Sequence, residues 1–331
     1  MDGMVYAALA YSTIPKGRIT AIDVAAAESA PGVVLVMTHR NAPRLTDPAE
    51  IFAAGADPAA GDDLPIMQDD QIHWNGQPIA VVLAETQEQA DHATSLIRAG
   101  YESEPTATAF DEAKAHGTQV ATFLGTPLSE ESGDAEVALA AAPHVVDHVY
   151  TTPRHNHNAI ELHAATLAWD GDELTVRDCT QGVRVLARML AGFFGIPEEQ
   201  VHVTAPYVGG GFGGKGIWQH QVLAAAAARL ARRPVRIVLS REGVYRLIGG
   251  RAPTEQRVAI GADADGRFEA LIHTGTTAKT EHNFLAEPFI MSSQCLYAAR
   301  TRKLKARSVN LDMVPEHVHA GARRGRRQLR A

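Results

Sequence analysis

The first hundred residues alternate between short apolar runs and short polar segments, a pattern typical of a small α+β unit. Apolar, β-branched runs predict four strands. A helix is predicted over 87–99, because Thr86 and Gln89 have the spacing of a capping box, and a shorter helix over 22–28. The predicted strands are 4–9, 32–38, 78–85 and 101–104, and the unit ends near residue 105.

The pattern changes near residue 144, where clear alternation of apolar and polar positions returns. Strand–turn–strand patterns alternate from there with stretches of helical apolar spacing, which predicts a mixed α/β unit. The predicted strands are 144–153, 164–169, 174–179, 201–204, 235–239, 258–262 and 268–276, and the predicted helices are 182–194 and 218–231.

Three further stretches lack this periodicity. Residues 42–70 are acidic and rich in Pro, Ala, Gly and Asp, which predicts a surface loop. Residues 106–143 have weak periodicity and are interpreted as a linker. Residues 317–331 contain five arginines and no acidic residue, a composition that fits no folded element.

Composition excludes several classes of protein. A net charge of −7 over 331 residues argues against a general nucleic-acid binder, which would carry a basic surface. No apolar run approaches the ~18 residues of a membrane-spanning helix. The two cysteines, Cys179 and Cys295, are far apart in the sequence and form no CxxC motif. They supply no zinc or iron–sulfur ligand set, and they favour a reducing, cytoplasmic compartment.

The strongest chemical signal is the segment GGGFGGK at residues 209–215, here called the glycine loop. It lies between a predicted strand and a predicted helix. Backbone amides in such a segment are not shielded by Cβ atoms, so they can converge on an electron-rich ligand. The glycine loop therefore predicts a site where a ligand approaches the backbone closely.

Two nucleotide-binding patterns overlap in the glycine loop. Gly209, Gly214 and Lys215 match the GxxxxGK of a P-loop, but Gly216 stands where Ser or Thr would hold magnesium. Gly209, Gly211 and Gly214 also match the GxGxxG of a dinucleotide-binding turn, although the acidic residue expected on the next strand is not well placed. A nicotinamide- or nucleotide-binding module built on Gly209 to Gly214 therefore stays open as the alternative function.

Other candidate sites carry weaker signals. His155, His157 and His163, close to Glu161, have a spacing that can suit zinc or copper, but we predict no metal ligands there. Ser240 lies in LSREG and not in the GxSxG of a nucleophile elbow. We therefore predict no catalytic residue in this chain from side-chain patterns alone.

The whole heptapeptide GGGFGGK resembles the molybdopterin-binding loop of the xanthine oxidase/aldehyde oxidoreductase family. The resemblance extends to about residue 316: residues 16–38 and 72–102 look like the family's α/β hammerhead domain, and residues 151–182 are similar to the opening of its cofactor-binding domain. One departure is IELHA at residues 160–164, where the family usually has Met-Glu-Pro-His-Ala.

The resemblance implies an α+β fold: a hammerhead domain over 1–105 with an incomplete N-terminus, the linker 106–143, and the first part of a mixed α/β molybdopterin-binding domain over 144–316. It also implies a role for each cofactor-binding residue. Gln181 would lie beside a molybdenum oxo ligand, Phe212 would line the substrate approach, and Lys215 would either compensate cofactor charge or pair at the surface. The implied cofactor-binding residues are Gln181, Gly210, Gly211, Phe212, Gly213, Gly214 and Lys215.

The implied function is that of a molybdenum hydroxylase subunit, which oxidises aldehydes or related carbonyl or heterocyclic substrates with water as the oxygen source. Its cofactor is molybdenum-molybdopterin, expected in the cytosine dinucleotide form. Electrons would pass to 2Fe-2S clusters and FAD on an iron–sulfur subunit and a FAD subunit. The cytoplasm is the expected compartment; an export signal on a partner subunit would instead place the complex in the periplasm.

The chain departs from the family after residue 316. The arginine-rich sequence 317–331 is interpreted as a frameshift product, because GC-rich codons for it can encode, in the next frame, the Arg-Ala-Pro-Gly-Glu-Ala segment of the family. The general-base glutamate of the family lies further on and has no counterpart in this chain. We therefore expect this chain to be inactive alone and to contain no catalytic residue of its own.

Overall fold

The computed structural model describes residues 1–53, 63–123, 125–283 and 286–316. The predicted tail 317–331 and part of the predicted loop 42–70 lie outside these ranges. The chain forms two compact units. The first comprises Met1–Thr106, His157–Gly249 and residues 312–316, and the second comprises Ala107–Asn156 and Gly250–Leu311.

The chain passes from the first unit to the second and back twice, so each unit contains several blocks of consecutive elements. In chain order they are β1 (Val5–Tyr11), β2 (Gly17–Asp23), α1 (Ala25–Glu28), β3 (Val33–Thr38), α2 (Pro48–Ala53), β4 (Gln71–Ile72), β5 (Pro78–Ala84), α3 (Gln87–Leu96), β6 (Arg98–Ser103), α4 (Phe110–Ala113), β7 (Thr118–Gln119), β8 (Thr122–Phe123), β9 (Thr126–Pro127), β10 (Ser129–Ser132), α5 (Ala135–Ala141), β11 (His144–Thr152), β12 (Ala164–Asp170), β13 (Glu173–Asp178), α6 (Val183–Phe194), β14 (Val201–Thr204), α7 (Gln219–Ala231), β15 (Val235–Val238), α8 (Arg241–Leu247), β16 (Thr254–Ala262), β17 (Phe268–Lys279), α9 (Met291–Leu296) and β18 (Thr301–Asn310).

The first unit is built on a mixed sheet with the strand order β14-β13-β12-β15-β1-β5-β3. Strand β1 runs parallel to β15 and antiparallel to β5, so strands that are far apart in the sequence share this sheet. A second, smaller sheet has the order β4-β2-β6. The predicted β–loop–α–β arrangement of β14, α7 and β15 is confirmed, with β13 and β12 lying between its two strands.

Both faces of the large sheet are covered by helices, and the residue pattern explains why. Every residue of β5 is buried, as expected for a strand covered on both faces. Side chains alternate between the faces: Val81 and Leu83 pack with the core around α7, whereas Val82 and Ala84 pack on the side of α1 and α3. Helix α7 is buried from His220 to Ala228, and its alanines allow close packing against β12 and β15.

The second unit is a separate sheet with the order β10-β18-β17-β16-β11, to which β7 also pairs through β18. The predicted hairpin is confirmed as β16 and β17, and β18 runs parallel to β17. Helix α5 packs against β17 and β16, and Leu139, Ala259 and Ile272 share a small core with it. None of the helices in the described ranges is long and apolar enough to span a membrane.

Several sequence predictions need correction. Residues 22 and 23, predicted as helical, belong to strand β2, and only 25–28 form a helix. The stretch 106–143, interpreted as a linker, contributes β7 and β10 to the sheet of the second unit. Strand β18 was missed because its four basic residues obscure the alternation of its buried positions. The predicted domain boundaries remain predictions.

A buried carboxyl group lies at the end of β13. Asp178 is 7 % exposed, and its Oδ2 atom accepts a hydrogen bond from the side-chain amide of Gln221 at 3.0 Å. Gln221 also accepts a hydrogen bond from the backbone amide of Trp218 at 2.7 Å. Burial raises the pKa of Asp178 to about 6. The carboxyl group therefore links β13 to the first turn of α7 at an electrostatic cost near neutral pH.

We expect Thr86→Ala to lower the free energy of unfolding by about 0.5–2 kcal/mol, because it removes the capping hydroxyl of α3. The predicted capping box is confirmed: Thr86 Oγ1 accepts from the amide of Gln89 at 3.3 Å, and Gln89 Oε1 accepts from the amide of Thr86 at 3.1 Å. Urea denaturation measures the loss. Thr86→Ser retains the hydroxyl and should lose less; equal losses in the two variants would contradict the capping role.

We expect Asp178→Asn to stabilise the protein more at about pH 8 than at about pH 4, by roughly 1–3 kcal/mol. The raised pKa means that folding favours the protonated carboxyl, so Asp178 costs stability as the pH rises from 3.8, its ordinary pKa, through about 6. The measurement is urea denaturation of both proteins across this range. Asp172→Asn provides the matched control, because Asp172 is an exposed carboxylate. A difference that does not vary with pH would contradict the prediction.

Candidate functional site

The glycine loop lies in the connection between β14 and α7, at the edge of the large sheet of the first unit. Its backbone takes the left-handed region at Gly210 (φ 89°), Phe212 (φ 54°) and Gly213 (φ 98°). Glycine adopts such angles readily, but phenylalanine does so only when its surroundings enforce it. Strain at a non-glycine residue inside this loop marks it as a candidate functional site.

Gln181 holds the C-terminal half of the loop. Its Oε1 atom accepts hydrogen bonds from the backbone amides of Gly213 at 3.1 Å and Lys215 at 3.2 Å. Its own backbone amide donates to the carbonyl of Lys215 at 2.7 Å, and the hydroxyl of Thr180 donates to the same carbonyl at 3.1 Å. Because the side-chain oxygen is used twice within the loop, the side-chain nitrogen of Gln181 is left as a donor for a ligand.

A second set of contacts fixes Gly214. Its carbonyl accepts hydrogen bonds from Trp218 Nε1 at 2.7 Å and from His163 Nε2 at 2.8 Å, and its amide donates to the carbonyl of Gly211 at 2.7 Å. Burial lowers the pKa of His163 to about 4, so its ring is neutral at pH 7 and donates through Nε2–H. A Cβ atom at Gly214 would lie 2.7 Å from the ring of His157, so only glycine fits there.

His163 also packs edge-on against His220, with ring centroids 5.8 Å apart. His220 is fully buried at the start of α7, and burial lowers its pKa well below the ordinary value. In the part of the chain that the structure describes, no group of three or more His, Cys, Asp or Glu side chains is arranged to hold a metal ion. The three histidines are not grouped. His157 and His163 lie next to Gly214 of the glycine loop, whereas His155 lies in the second unit, where its backbone pairs with Arg251.

The loop leaves a row of backbone donors unused. Gly209, Gly213, Gly214 and Lys215 all donate their amides to protein acceptors. Among the hydrogen bonds of the described residues, none is donated by the amides at positions 210, 211 and 212. Three consecutive free amides beside the side-chain nitrogen of Gln181 form a donor set that suits an electron-rich, oxygen- or sulfur-bearing ligand.

Large apolar or aromatic side chains on the glycine loop and on the adjoining chain segments are exposed. Phe212 is 48 % exposed, and its ring would lie 3.1 Å from a Cβ atom at Gly210. Ile160 and Tyr207, on the two chain segments that meet at the backbone contact of Glu161 with Gly209, are largely exposed. Exposed apolar side chains on the segments that carry a polar donor set are in keeping with a ligand site.

Lys215 does not pair at the surface as one of the two expectations had it, and its expected role in compensating cofactor charge stays a prediction. Its side chain is 1 % exposed and its ammonium group bonds the carboxylate of Glu161, so it pairs in the interior and not at the surface. The hydrogen bond from Lys215 lowers the pKa of Glu161. Sequence reasoning considered Glu161 only as a neighbour of the histidines; its place in the family-like segment 160–164 was the signal that could have identified it.

The nucleotide-binding alternative lacks its structural context. In a P-loop or dinucleotide-binding turn the glycines lead directly into the helix, whose N-terminus binds phosphate. Here α7 begins at Gln219, and Lys215 is buried before the helix starts. The N-terminus of α7 is therefore separated from the glycine loop, and its dipole does not act there as it does on the phosphate of a P-loop.

Comparisons with known proteins agree with this geometry. Residues 1–105 match the family described as aldehyde oxidase and xanthine dehydrogenase, a/b hammerhead domain, and residues 116–325 match the molybdopterin cofactor-binding domain. The aldehyde oxidoreductase molybdenum-binding subunit PaoC of Escherichia coli (strain K12) is 34% identical over 309 residues, which cover 93% of this chain and 40% of the relative. The nicotinate dehydrogenase large molybdopterin subunit of Eubacterium barkeri is 30% identical, covering 81% of this chain and 62% of the relative.

Solved structures show the same fold. The aldehyde oxidoreductase from Desulfovibrio gigas matches with a TM-score of 0.79 at 22% identity, over 97% of this chain and 36% of that chain. Quinoline 2-oxidoreductase from Pseudomonas putida 86 matches with a TM-score of 0.79 at 23% identity, over 97% and 42%. The chain thus spans about two fifths of the length of these two structures and of the Escherichia coli subunit.

The expected fold class, α+β with a hammerhead domain, is confirmed by these matches. The two family matches together take in the glycine loop, Gln181 and the strands that carry them. The chain belongs to the molybdenum-cofactor-binding subunits of the xanthine oxidase and aldehyde oxidoreductase family.

Proposed function

We propose that the glycine loop and Gln181 hold the molybdenum–pterin cofactor of an aldehyde-oxidising hydroxylase. The observation that carries the proposal is the row of unused amides at Gly210, Gly211 and Phe212 beside the free side-chain nitrogen of Gln181. N–H donors of this kind complement the oxo and dithiolene groups of such a cofactor, which are rich in lone pairs. The donor set therefore fits the group that the family binds.

The cofactor, when bound, supplies a two-electron oxidation in which water provides the oxygen atom. In this proposal the chain's own residues position the cofactor and shield the approaching substrate from water. Gln181 presents an N–H donor whose direction is fixed because its oxygen is bonded to Gly213 and Lys215. Phe212, half exposed on strained backbone, provides an apolar wall for the approaching substrate. Gly213 and Gly214 shape the loop and donate within the protein, so their predicted role in cofactor binding is indirect.

The proposed substrates are aldehydes. In purine-oxidising members of the family a glutamate follows the Gly-Gly-Lys sequence, where it can bond a heterocycle; this chain has Gly216. A purine would lose one polar partner at that position, worth about 1–3 kcal/mol when buried. The name of the Escherichia coli relative, an aldehyde oxidoreductase, supports the same substrate class.

The proposed assembly follows from what this chain lacks. Its two cysteines are free thiols, one buried and one exposed, so the described chain offers no cysteine set for an iron–sulfur cluster. We propose that an iron–sulfur subunit and a FAD subunit accept the electrons, that the pterin carries a cytosine nucleotide, and that the complex works in the cytoplasm, or in the periplasm through a partner's export signal. Because the chain spans 40% of the Escherichia coli subunit, we propose that it is inactive alone.

We expect a chimera, in which this chain replaces the aligned part of the Escherichia coli subunit, to contain molybdenum and pterin when expressed with that subunit's partners. The chain alone should contain little of either. Metal analysis by mass spectrometry and fluorescence of the released, oxidised pterin measure the two contents. A folded chimera without molybdenum, especially one that NAD(P) stabilises against heat, would overturn the proposal in favour of a nucleotide-binding module.

We expect Gln181→Glu in the chimera to lower kcat by about 10²–10³-fold, the scale of losing one preorganised donor at a reacting centre. Glutamate keeps oxygens for the amides of Gly213 and Lys215 but has no N–H to offer the cofactor. Molybdenum content should stay close to that of the parent chimera. A variant with full activity would contradict the proposed role of the side-chain nitrogen.

We expect the chimera to oxidise aromatic aldehydes and to leave xanthine essentially unchanged. Gly216→Glu should raise kcat/KM for xanthine relative to the aldehyde, by about 5- to 150-fold if the new hydrogen bond contributes 1–3 kcal/mol. Steady-state assays with both substrates measure this ratio. The hypothesis fails if the parent chimera oxidises xanthine as efficiently as an aldehyde.

A further inference from the structure

One carboxylate joins the two ends of the glycine loop. The Oε2 atom of Glu161 accepts a hydrogen bond from the backbone amide of Gly209 at 2.6 Å and another from the ammonium group of Lys215. These are the first and last residues of the loop. The backbone amide of Glu161 also donates to the carbonyl of Gly209, at 3.4 Å. Glu161, which precedes β12 and is not part of the loop, therefore connects the two ends of the loop.

The ion pair is asymmetric in its exposure. The side chain of Lys215 is 1 % exposed, whereas that of Glu161 is 37 % exposed. Water can solvate the carboxylate if the pair breaks, but it cannot reach the buried ammonium group. Loss of one partner of a buried pair leaves an uncompensated charge, which is much more destabilising than loss of a surface pair. The buried position of the Lys215 ammonium group therefore depends on its pairing with Glu161. The position of the C-terminal end of the glycine loop depends on the same pairing.

Asp178 and His163 lie within electrostatic reach of Lys215, but in the described part of the chain neither is bonded to its ammonium group. Among the ion pairs of the described residues, Glu161 provides the only carboxylate bonded to Lys215. Burial keeps His163 neutral at pH 7, and Asp178 bonds Gln221 instead. The carboxylate of Glu161 is thus the single charged anchor of the loop in this part of the structure.

We propose that Glu161 is a positioning residue, which fixes the distance between Gly209 and Lys215 and so keeps the free amides of Gly210, Gly211 and Phe212 in one arrangement for the cofactor. The inference rests on the proposed function for the identity of the ligand. The contacts of Glu161 with Gly209 and Lys215 are present in the chain without a cofactor. Lys215 then acts on cofactor binding through Glu161, and not as a direct counter-ion.

The first test is amide hydrogen exchange of the full chain, without cofactor, resolved by NMR. In Glu161→Ala we expect the loop amides of Gly209, Gly213 and Lys215 to exchange about tenfold faster or more, the scale of one hydrogen bond to a charged acceptor. Glu161→Gln keeps an oxygen for Gly209 and should give an intermediate rate. Glu242→Gln, which breaks an exposed pair with Arg246, is the matched control and should leave the loop unchanged.

A double variant separates the local effect from a general loss of stability. Glu161→Gln leaves the buried ammonium group unpaired and should lower Tm. Lys215→Met in the same chain removes that charge, so Tm should recover. Loop exchange should stay faster than in the wild type, because no side chain then joins residue 215 to Gly209. Wild-type exchange rates in the double variant would overturn the proposal, and this comparison remains available if Glu161→Ala does not fold.

The last test measures the loss of molybdenum from the chimera described above. With Glu161→Ala we expect release during dialysis to be about tenfold faster or more, in proportion to the loosened loop. Equal release from a loaded variant and its parent would overturn the positioning role. A parent chimera that never takes up molybdenum would instead refute the proposed function, and the exchange experiments would still decide whether Glu161 orders the loop.

Discussion

The structure of the candidate site depends on the need to satisfy buried backbone polar groups. A loop can offer consecutive free N–H groups to a ligand only if its remaining polar groups are bonded elsewhere, because unpaired buried groups cost about 1–3 kcal/mol each. Here the amides of Gly209, Gly213, Gly214 and Lys215 are all bonded within the protein. The three amides between Gly209 and Gly213 are thereby left unbonded, on a backbone that is held on both sides.

The sheet of the first unit supplies the partners that make this possible. Strand β13 ends at Asp178, and the turn after it brings Thr180 and Gln181 to the loop. His163 precedes β12, and Trp218 caps the buried helix α7; both bond the carbonyl of Gly214. Because these groups come from adjacent elements of one core, packing of α7 against β12 and β15 fixes the loop as well as the fold.

Sequence reasoning predicted the local features well and the long-range ones only in part. The capping box at Thr86 and the helices α3, α6 and α7 were found because their signals are local. The resemblance to the family led to Gln181. Its side chain accepts hydrogen bonds from two amides of the glycine loop. The contact of Glu161 with Lys215 was not predicted, because no local pattern links residues 54 positions apart. Strand β18 was missed because its four basic residues obscure its alternation, and its pairing with β17 cannot be read from its own sequence.

The charges around the loop explain why a lysine in a GGK sequence need not contact an anion. Lys215 is balanced by Glu161, to which it is directly bonded and whose pKa the pairing lowers. The buried cation is therefore already compensated, and it adds little field at the free amides. In the proposed function, attraction for an electron-rich cofactor comes from N–H dipoles in fixed positions. Dipoles act over short distances and in defined directions, so they select a ligand by shape more than by charge.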